Sequence, residues 1–272
     1  MGKIIPLDLQ RIKADIQSNP LIHQWVKEVL LFDDVDSTNQ IGMQMGLEGA
    51  EGGALILAEG QNKGRGRLDR TWVSPKCGNL YLSLLIRPNC PTRDFPLFSL
   101  AAAVALVNAI RSAAGLSSVI KWPNDILLGD KKVAGILLES GGNGKASFLV
   151  IGIGVNVNWD MNAMPQELNA TSLKTALGRP LDRNGLMIDM LQALVTQFDL
   201  LVAGEKGRII QSVSEVCATL GKSVMIHTPR QTLQGVAKMI LEDGGLLLRL
   251  EDGTEKKVLV GDVTHAPGIG GK

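Results

Sequence analysis

Apolar and polar positions follow two different rhythms along the 272-residue chain, and the rhythm changes near residue 218. In the first part, long apolar runs alternate with polar, glycine-rich connections. Leu7 to Gln17 predicts a short amphipathic helix ended by Ser18-Asn19-Pro20, and a strand follows near Val29 to Phe32. Asp36-Ser37-Thr38-Asn39 opens a helix with Ser or Asp as N-cap. Ala54 to Ala58 and Leu80 to Arg87 read as strands, and Pro96 to Ala114 as a helix closed by Gly115. Ile126–Leu128 and Lys132–Glu139 flank Gly129-Asp130-Lys131, a hairpin signal. A strand over Phe148 to Val157 and a mostly helical stretch from Asn184 to Cys217 complete this part. From Ser223 onward the runs shorten: Ser223–His227, Thr232–Leu241, Leu246–Leu250 and Glu255–Val260, separated by Asp243-Gly244-Gly245 and Glu251-Asp252-Gly253-Thr254. Strands at that spacing predict a small β-barrel or sandwich. The expected division is a large domain over 1–218, with 1–35 as an N-terminal extension, a small barrel over 219–266, and a disordered tail over 267–272.

Composition changes this picture in a few places. Hydrophobic residues make up 45% but aromatics only 4%, so the core is aliphatic. A net charge of +1 provides no global basic field, which argues against broad nucleic-acid binding. Cys77, Cys90 and Cys217 are odd in number and widely spread, and read as reduced thiols in a cytoplasmic protein. Cys77 borders an arginine-rich loop, but no histidine lies near it in sequence to activate it. His23, His227 and His265 show no metal-ligand spacing, so no protein metal site is expected. The N-terminus has no signal-peptide core, and Pro6 breaks the myristoylation pattern. The run from Phe98 to Ile110 is too short to span a membrane and reads as a buried helix.

Two segments carry the chemistry. Gly64-Arg65-Gly66-Arg67-Leu68-Asp69-Arg70-Thr71-Trp72 packs three arginines beside two glycines, which suits close approach to an anion. The surrounding loop, Gln61 to Ser74, looks too polar and glycine-rich to pack, and is expected to be mobile until a ligand arrives. Lys121-Trp122-Pro123-Asn124-Asp125 presents a lysine, an amide and a carboxylate at a forced turn. Together they point to a site for an anionic nucleotide and an activated acyl group. Each has a plainer reading: an Asx-stabilised turn, a solvated basic loop or, for Lys132 entering a strand, a guarded sheet edge. Gly152-Ile153-Gly154-Val155-Asn156 is either a bulge or close packing, or a place where a ligand lies on the strand beside Asn156. Glu139-Ser140-Gly141-Gly142-Asn143-Gly144-Lys145-Ala146 has the outline of a phosphate-binding P-loop. It lacks the first glycine and the hydroxyl after the lysine, and it joins two strands, so it reads as a hairpin turn.

These motifs, in this order, resemble the biotin protein ligases from Asp36 onward. The resemblance rests on Ser37-Thr38-Asn39, Gly64-Arg65-Gly66-Arg67 with Trp72 and Ser74-Pro75, Asn79-Leu80-Tyr81-Leu82-Ser83, Lys121-Trp122-Pro123-Asn124-Asp125, Lys132-Val133-Ala134-Gly135-Ile136-Leu137 and Gly152-Ile153-Gly154-Val155-Asn156. It implies an α+β catalytic domain on a mixed β-sheet, akin to class II synthetases, followed by an SH3-like barrel. It implies an ATP-dependent ligase that makes biotinyl-5'-AMP and passes biotin to a lysine of a biotin carboxyl carrier protein, with biotin, ATP and Mg²⁺ as ligands. Lys132, Arg67 and Asp125 take catalytic roles in that reading, Asp125 orienting the carrier lysine or helping to remove its proton. The implied biotin site is Ser37, Thr38, Asn39, Gln61, Gly64, Arg65, Arg67, Lys132, Gly135, Gly152 and Gly154. The implied adenylate site is Arg65, Arg67, Arg70, Trp72, Asn124, Lys132 and Asn156. Leu68-Asp69 departs from the more basic or glycine-rich residues usual there. Only about thirty-five residues precede Ser37, with one short helix expected among them, where some members carry a winged helix-turn-helix. A monofunctional ligase without a DNA-binding role is expected, and a homodimer is left open. The alternatives are a lipoate or octanoate ligase, or a non-catalytic biotin-binding regulator.

Overall fold

The computed structural model describes residues 5–142, 147–160, 169–229 and 231–265. Two short helices come first, α1 (Leu9–Ser18) and α2 (Pro20–Trp25), where the sequence predicted one. Asn19 ends the first and caps the second, its side chain accepting from the Leu21 and Ile22 amides, and Pro20 fits the first position of the new helix. A proline read as a stop is therefore also a start. Strand β1 (Glu28–Val35) leads through Ser37 into α3 (Thr38–Leu47), followed by β2 (Ala54–Gln61) and β3 (Leu80–Ile86). Helix α4 (Pro96–Ala114) has proline in its first turn and Gly115 in the left-handed conformation after its last, as predicted.

Three-residue β4 (Val119–Lys121), missed in sequence, precedes β5 (Asp125–Leu128), β6 (Lys131–Gly141) and β7 (Phe148–Val155). The β6–β7 pair is antiparallel from Ala134↔Val155 to Gly141↔Phe148, which fits the hairpin reading; residues 143–146 of its turn lie outside the described set. Helices α5 (Leu173–Leu177), α6 (Arg183–Val202) and α7 (Lys206–Val216) follow. The small domain holds β8 (Ser223–His227), β9 (Thr232–Ile240), β10 (Leu246–Leu250), β11 (Glu255–Val258) and β12 (Asp262–His265). The last is a fifth strand beyond the four expected, and residues of the expected tail after 265 lie outside the described set.

The large sheet runs β1-β2-β3-β7-β6-β5-β4, parallel only between β1 and β2. The predicted mixed sheet is thus present. Its two faces carry different loads. One face packs on α4 and α6, with Phe98 and Phe198 ring centroids 5.1 Å apart. The other face carries α3 over a small cluster that includes Ile56, Phe148 and Val150. Thr92–Ala114 and Arg183–Val202 are each long and apolar enough to cross a membrane by composition alone, yet they bury 67% and 44% of their apolar windows inside the protein. The apolar run Phe98–Ile110 is accordingly a core helix.

The barrel sheet runs β11-β10-β9-β8-β12, antiparallel throughout. Its buried side chains, Val224, Ile226 and Leu248 among them, belong to the same core cluster as the large sheet. Trp122 is one of the bolts between the two domains. Its amide donates to Thr219 Oγ1 and its indole to the Gly244 carbonyl, both at 3.0 Å. The chain's N-terminal segment is tied down by a buried ion pair. Arg183 grips Glu59 at 2.9 and 3.1 Å and donates to the Ile5 carbonyl, while Glu59 accepts from the Leu7 amide.

Candidate active site

The α3 face of the sheet is hollowed where its side chains are small. Register places Ser83, Gly152 and Leu137 in one transverse row, and Tyr81, Gly154 and Gly135 in the next. A cavity of about 230 Å³ lies over these rows. The glycines make room for protein side chains. A Cβ on Gly152 would sit 1.9 Å from Asn39 Oδ1, and one on Gly154 2.5 Å from the Trp72 indole. A Cβ on Gly135 would meet Lys132 and Trp72 at about 3.1 Å, and one on Gly64 the Trp72 carbonyl at 2.3 Å. The close-packing alternative therefore holds for the paired glycines. Asn39 and Trp72 pack close to Gly152 and Gly154, which still line the cleft. Leu137 supplies the apolar side chain of the row it shares with Gly152.

One end of the cleft is neutral and tightly bonded. Gln61 Oε1 accepts from the Thr38 amide (2.9 Å) and hydroxyl (3.2 Å), and Gln61 Nε2 donates to Ser74 Oγ (3.0 Å). Ser83, fully buried, donates within reach of both Thr38 Oγ1 (2.8 Å) and Asn39 Oδ1 (2.6 Å). Asn39 Nδ2 donates to Glu139 (3.0 Å) and the Leu137 carbonyl (3.3 Å). Ser37 is the N-cap of α3, as expected, but its side chain makes no capping bond, so the hydroxyl lines the cleft instead. Ser37, Thr38, Asn39 and Gln61 all line the cleft.

The other end is charged. Lys132 Nζ lies 2.6 Å from Asp125 Oδ1 and 5.1 Å from the Trp72 ring centre. Its partner thus comes from the adjacent strand β5, while its backbone is pinned by Asn169 and Thr171. Arg67 donates to Asn124 Oδ1 at 2.8 Å, and Asn124 Nδ2 donates to the Ile136 carbonyl at 2.8 Å. Both ends of that amide are bonded within the protein, where Asn124 positions Arg67 at the cleft. Asn156 differs. Its Nδ2 donates to the Thr171 carbonyl, but its buried Oδ1 has no partner, and neither has the buried Trp72 Nε1. Burial pulls the Arg67 guanidinium below its ordinary value, with Asp262 and then Asp125 opposing that pull.

Arg65 does not reach the charged end. It pairs with Glu139 at 3.1 Å, beside Asn39, and lines the same cleft. Arg70 pairs with Asp262 of β12. The loop itself packs as a narrow hairpin, with the Trp72 amide on the Gly64 carbonyl (2.9 Å) and the Gly66 amide on the Arg70 carbonyl (2.7 Å). The expectation that it is too polar to pack is corrected: glycine lets Trp72 seat its ring on the sheet. Sequence reasoning missed Ser83, Glu139 and Asp262 as site residues. Ser83 sat inside a quoted motif and Glu139 inside the rejected P-loop; Asp262 had no local signal. Among the described residues no cluster of three metal-ligating side chains occurs.

Comparison with known proteins agrees with this geometry. Residues 31–156 match the biotin/lipoate A/B protein ligase family, and residues 219–265 match the biotin protein ligase C-terminal domain. The chain is 36% identical to the bifunctional ligase/repressor BirA of Bacillus subtilis, over 84% of this chain and 71% of that one. It is 34% identical to the biotin–[acetyl-CoA-carboxylase] ligase of Paracoccus denitrificans, over 79% and 91%. The biotin protein ligase of Aquifex aeolicus in complex with biotin and ATP superposes with a TM-score of 0.72 at 28% identity, covering 88% of this chain and 98% of that one. With the mixed sheet and the SH3-like barrel in place, the chain belongs to the biotin protein ligase family.

Proposed function

We propose that this protein activates biotin with ATP and transfers it to a lysine of a biotin carboxyl carrier protein, a domain of the kind found in acetyl-CoA carboxylase. One observation carries the reading: a single cleft joins a neutral, hydrogen-bonding end at Ser37 and Thr38 to a cationic end at Arg67, Arg70 and Lys132. Biotin has that polarity, with a neutral ureido head and a carboxylate tail. A lipoyl or octanoyl head offers nothing to the hydroxyls of Ser37 and Thr38, so those substrates fit less well.

In the first step a biotin carboxylate oxygen attacks the α-phosphorus of ATP. The P–O bond to pyrophosphate breaks, and its electron pair leaves with pyrophosphate. ATP enters as its Mg²⁺ complex, which neutralises charge on the departing phosphates. Both reactants are anions, so the protein's task is to hold them together and stabilise the charge that develops. Lys132 bridges the carboxylate and the α-phosphate, leaving Asp125 to do so. Arg67, aimed by Asn124, adds a second cation. Asn156 Oδ1 accepts from the adenine amino group, and Trp72 covers the acyl-adenylate. In the second step the carrier lysine's amine attacks the acyl carbon, the bond to AMP breaks, and Asp125 takes the amine's proton.

The reading also places the reaction in the large domain over 1–218, with the barrel over 219–266 closing one side. Three free cysteines suit the reducing cytoplasm. The test is direct: purified protein, biotin, MgATP and an apo carrier domain should yield biotin on one carrier lysine with AMP released. Labelling by lipoate or octanoate in place of biotin would contradict the assignment.

A further inference from the structure

The sheet alone does not close the cleft. The Gly64–Trp72 loop folds over it, and the tip of that loop is strained. Leu68 and Asp69 both hold left-handed backbone, at φ 53° and 57°, although neither is glycine. Such a tip persists only where neighbouring structure offsets its cost. The neighbour here is the barrel. Arg70 pairs with Asp262, and Arg67 Nη2 approaches the Gly261 carbonyl at 3.5 Å.

The barrel's side of this contact is rigid. Asp262 opens β12, which pairs with β8 from Asp262↔His227 to His265↔Val224. A Cβ at Gly261 would fall 2.5 Å from Ile226 Cγ2, so the chain lies flat against β8 just before Asp262. The Asp262 side chain is 19% exposed and lines the same cleft as Lys132, whereas Arg70 is 67% exposed. An ion pair with so solvated a partner adds little to global stability. It can still decide where a short loop rests, because local opening is governed by local contacts.

We infer that Asp262 is a positioning residue of the ligase reaction: the barrel's catch, which holds the Gly64–Trp72 loop closed through Arg70 and so retains the acyl-adenylate until a carrier lysine enters. The inference rests on the ligase reading above. It makes the barrel part of the lid rather than an appendage. An escaped adenylate acylates any accessible amine, so leakage is measurable as biotin on a bystander protein.

The experiment uses the full chain and reports a ratio: biotin appearing on an unrelated lysine-rich protein, divided by biotin-dependent ATP–pyrophosphate exchange. Asp262→Asn, Asp262→Arg and Arg70→Asp should each raise this ratio about five-fold, the change that loss of one partly exposed ion pair allows. Asp262→Glu should keep the wild-type ratio, and the double exchange Arg70→Asp with Asp262→Arg should bring it back. Melting temperatures should stay near wild type. An unchanged ratio in both Asp262→Asn and Asp262→Arg overturns the catch alone. Absence of biotin-dependent exchange in the wild-type protein overturns the ligase reading and the catch with it.

Discussion

The two ends of the cleft are held by different forces. At the neutral end, Thr38, Gln61, Ser83 and Asn39 form a network of neutral side chains between α3, β2 and β3, with Ser83 fully buried and the Glu139–Arg65 pair bonded to it through Asn39. Its groups are bonded to one another before any ligand arrives. At the charged end, Lys132, Arg67 and Arg70 rest on Asp125, Asn124 and Asp262, and these partners come from β5, the β4–β5 turn and the barrel. The first end is preorganised by burial. At the second, the Lys132–Asp125 contact is one that a phosphate or carboxylate can replace, while Arg70 stays on Asp262 of the barrel. A neutral head group needs a fixed template; an anion that must enter, react and leave needs a cation whose existing partner can be exchanged.

The largest effect that separates the two ends should come from Lys132→Ala. Loss of a charge-assisted contact made as phosphate charge develops should cost about 3 kcal/mol or more in activation free energy. Pyrophosphate exchange should nearly vanish while calorimetric affinity for biotin amide, which has no carboxylate, stays close to wild type. Comparable loss of both would merge the two ends into one.

Gln61→Ala and Thr38→Val test the other end. Gln61→Ala leaves the Thr38 amide without its acceptor, and Thr38→Val removes the hydroxyl between Ser83 and Gln61, at roughly 1–3 kcal/mol. Calorimetry should show weaker biotin binding with little change for ATP. Equal weakening of both ligands would mean that the network sets the whole site rather than one end. Gly152→Ala probes the same network from the sheet. The added methyl displaces Asn39, an overpacking cost of about 1–3 kcal/mol, so thermal melting and biotin affinity should fall together. A fully stable variant with normal affinity would show that Asn39 has somewhere else to go.

The smallest effect is that of salt. Raising ionic strength from about 0.1 M to about 1 M shortens the screening length from about 10 Å to about 3 Å. KM for ATP should rise, because its partners are partly exposed cations, while the affinity for biotin amide should hold. Equal salt sensitivity would remove the distinction.

The strands and the long core helix were legible because their signals are local: a continuous apolar run, a proline at the start, Gly115 at the end. Strand β12 was not, since Asp262–His265 is too short to show alternation and is fixed only by pairing with β8. Helix α2 was hidden because Pro20 carries the same letter whether it stops or starts a helix. The candidate site was legible as a set of residue types and not as a set of partners. Nothing in the sequence says that Asn124 faces Arg67, that Arg65 turns to Glu139, or that Asp262 reaches Arg70 from far along the chain. The glycines are read only in part for a related reason. A gap in a strand signals close approach without naming the group that approaches, and here Asn39 and Trp72 pack close to it.

The central claim is that one cleft couples a neutral head group to an activated carboxylate. It is tested most directly by ATP–pyrophosphate exchange in the purified protein, measured with no acid, with biotin, and with lipoate or octanoate. Exchange that appears with biotin and stays at background with the other acids is the predicted result. Exchange that is independent of added acid, or stronger with lipoate or octanoate than with biotin, would contradict it.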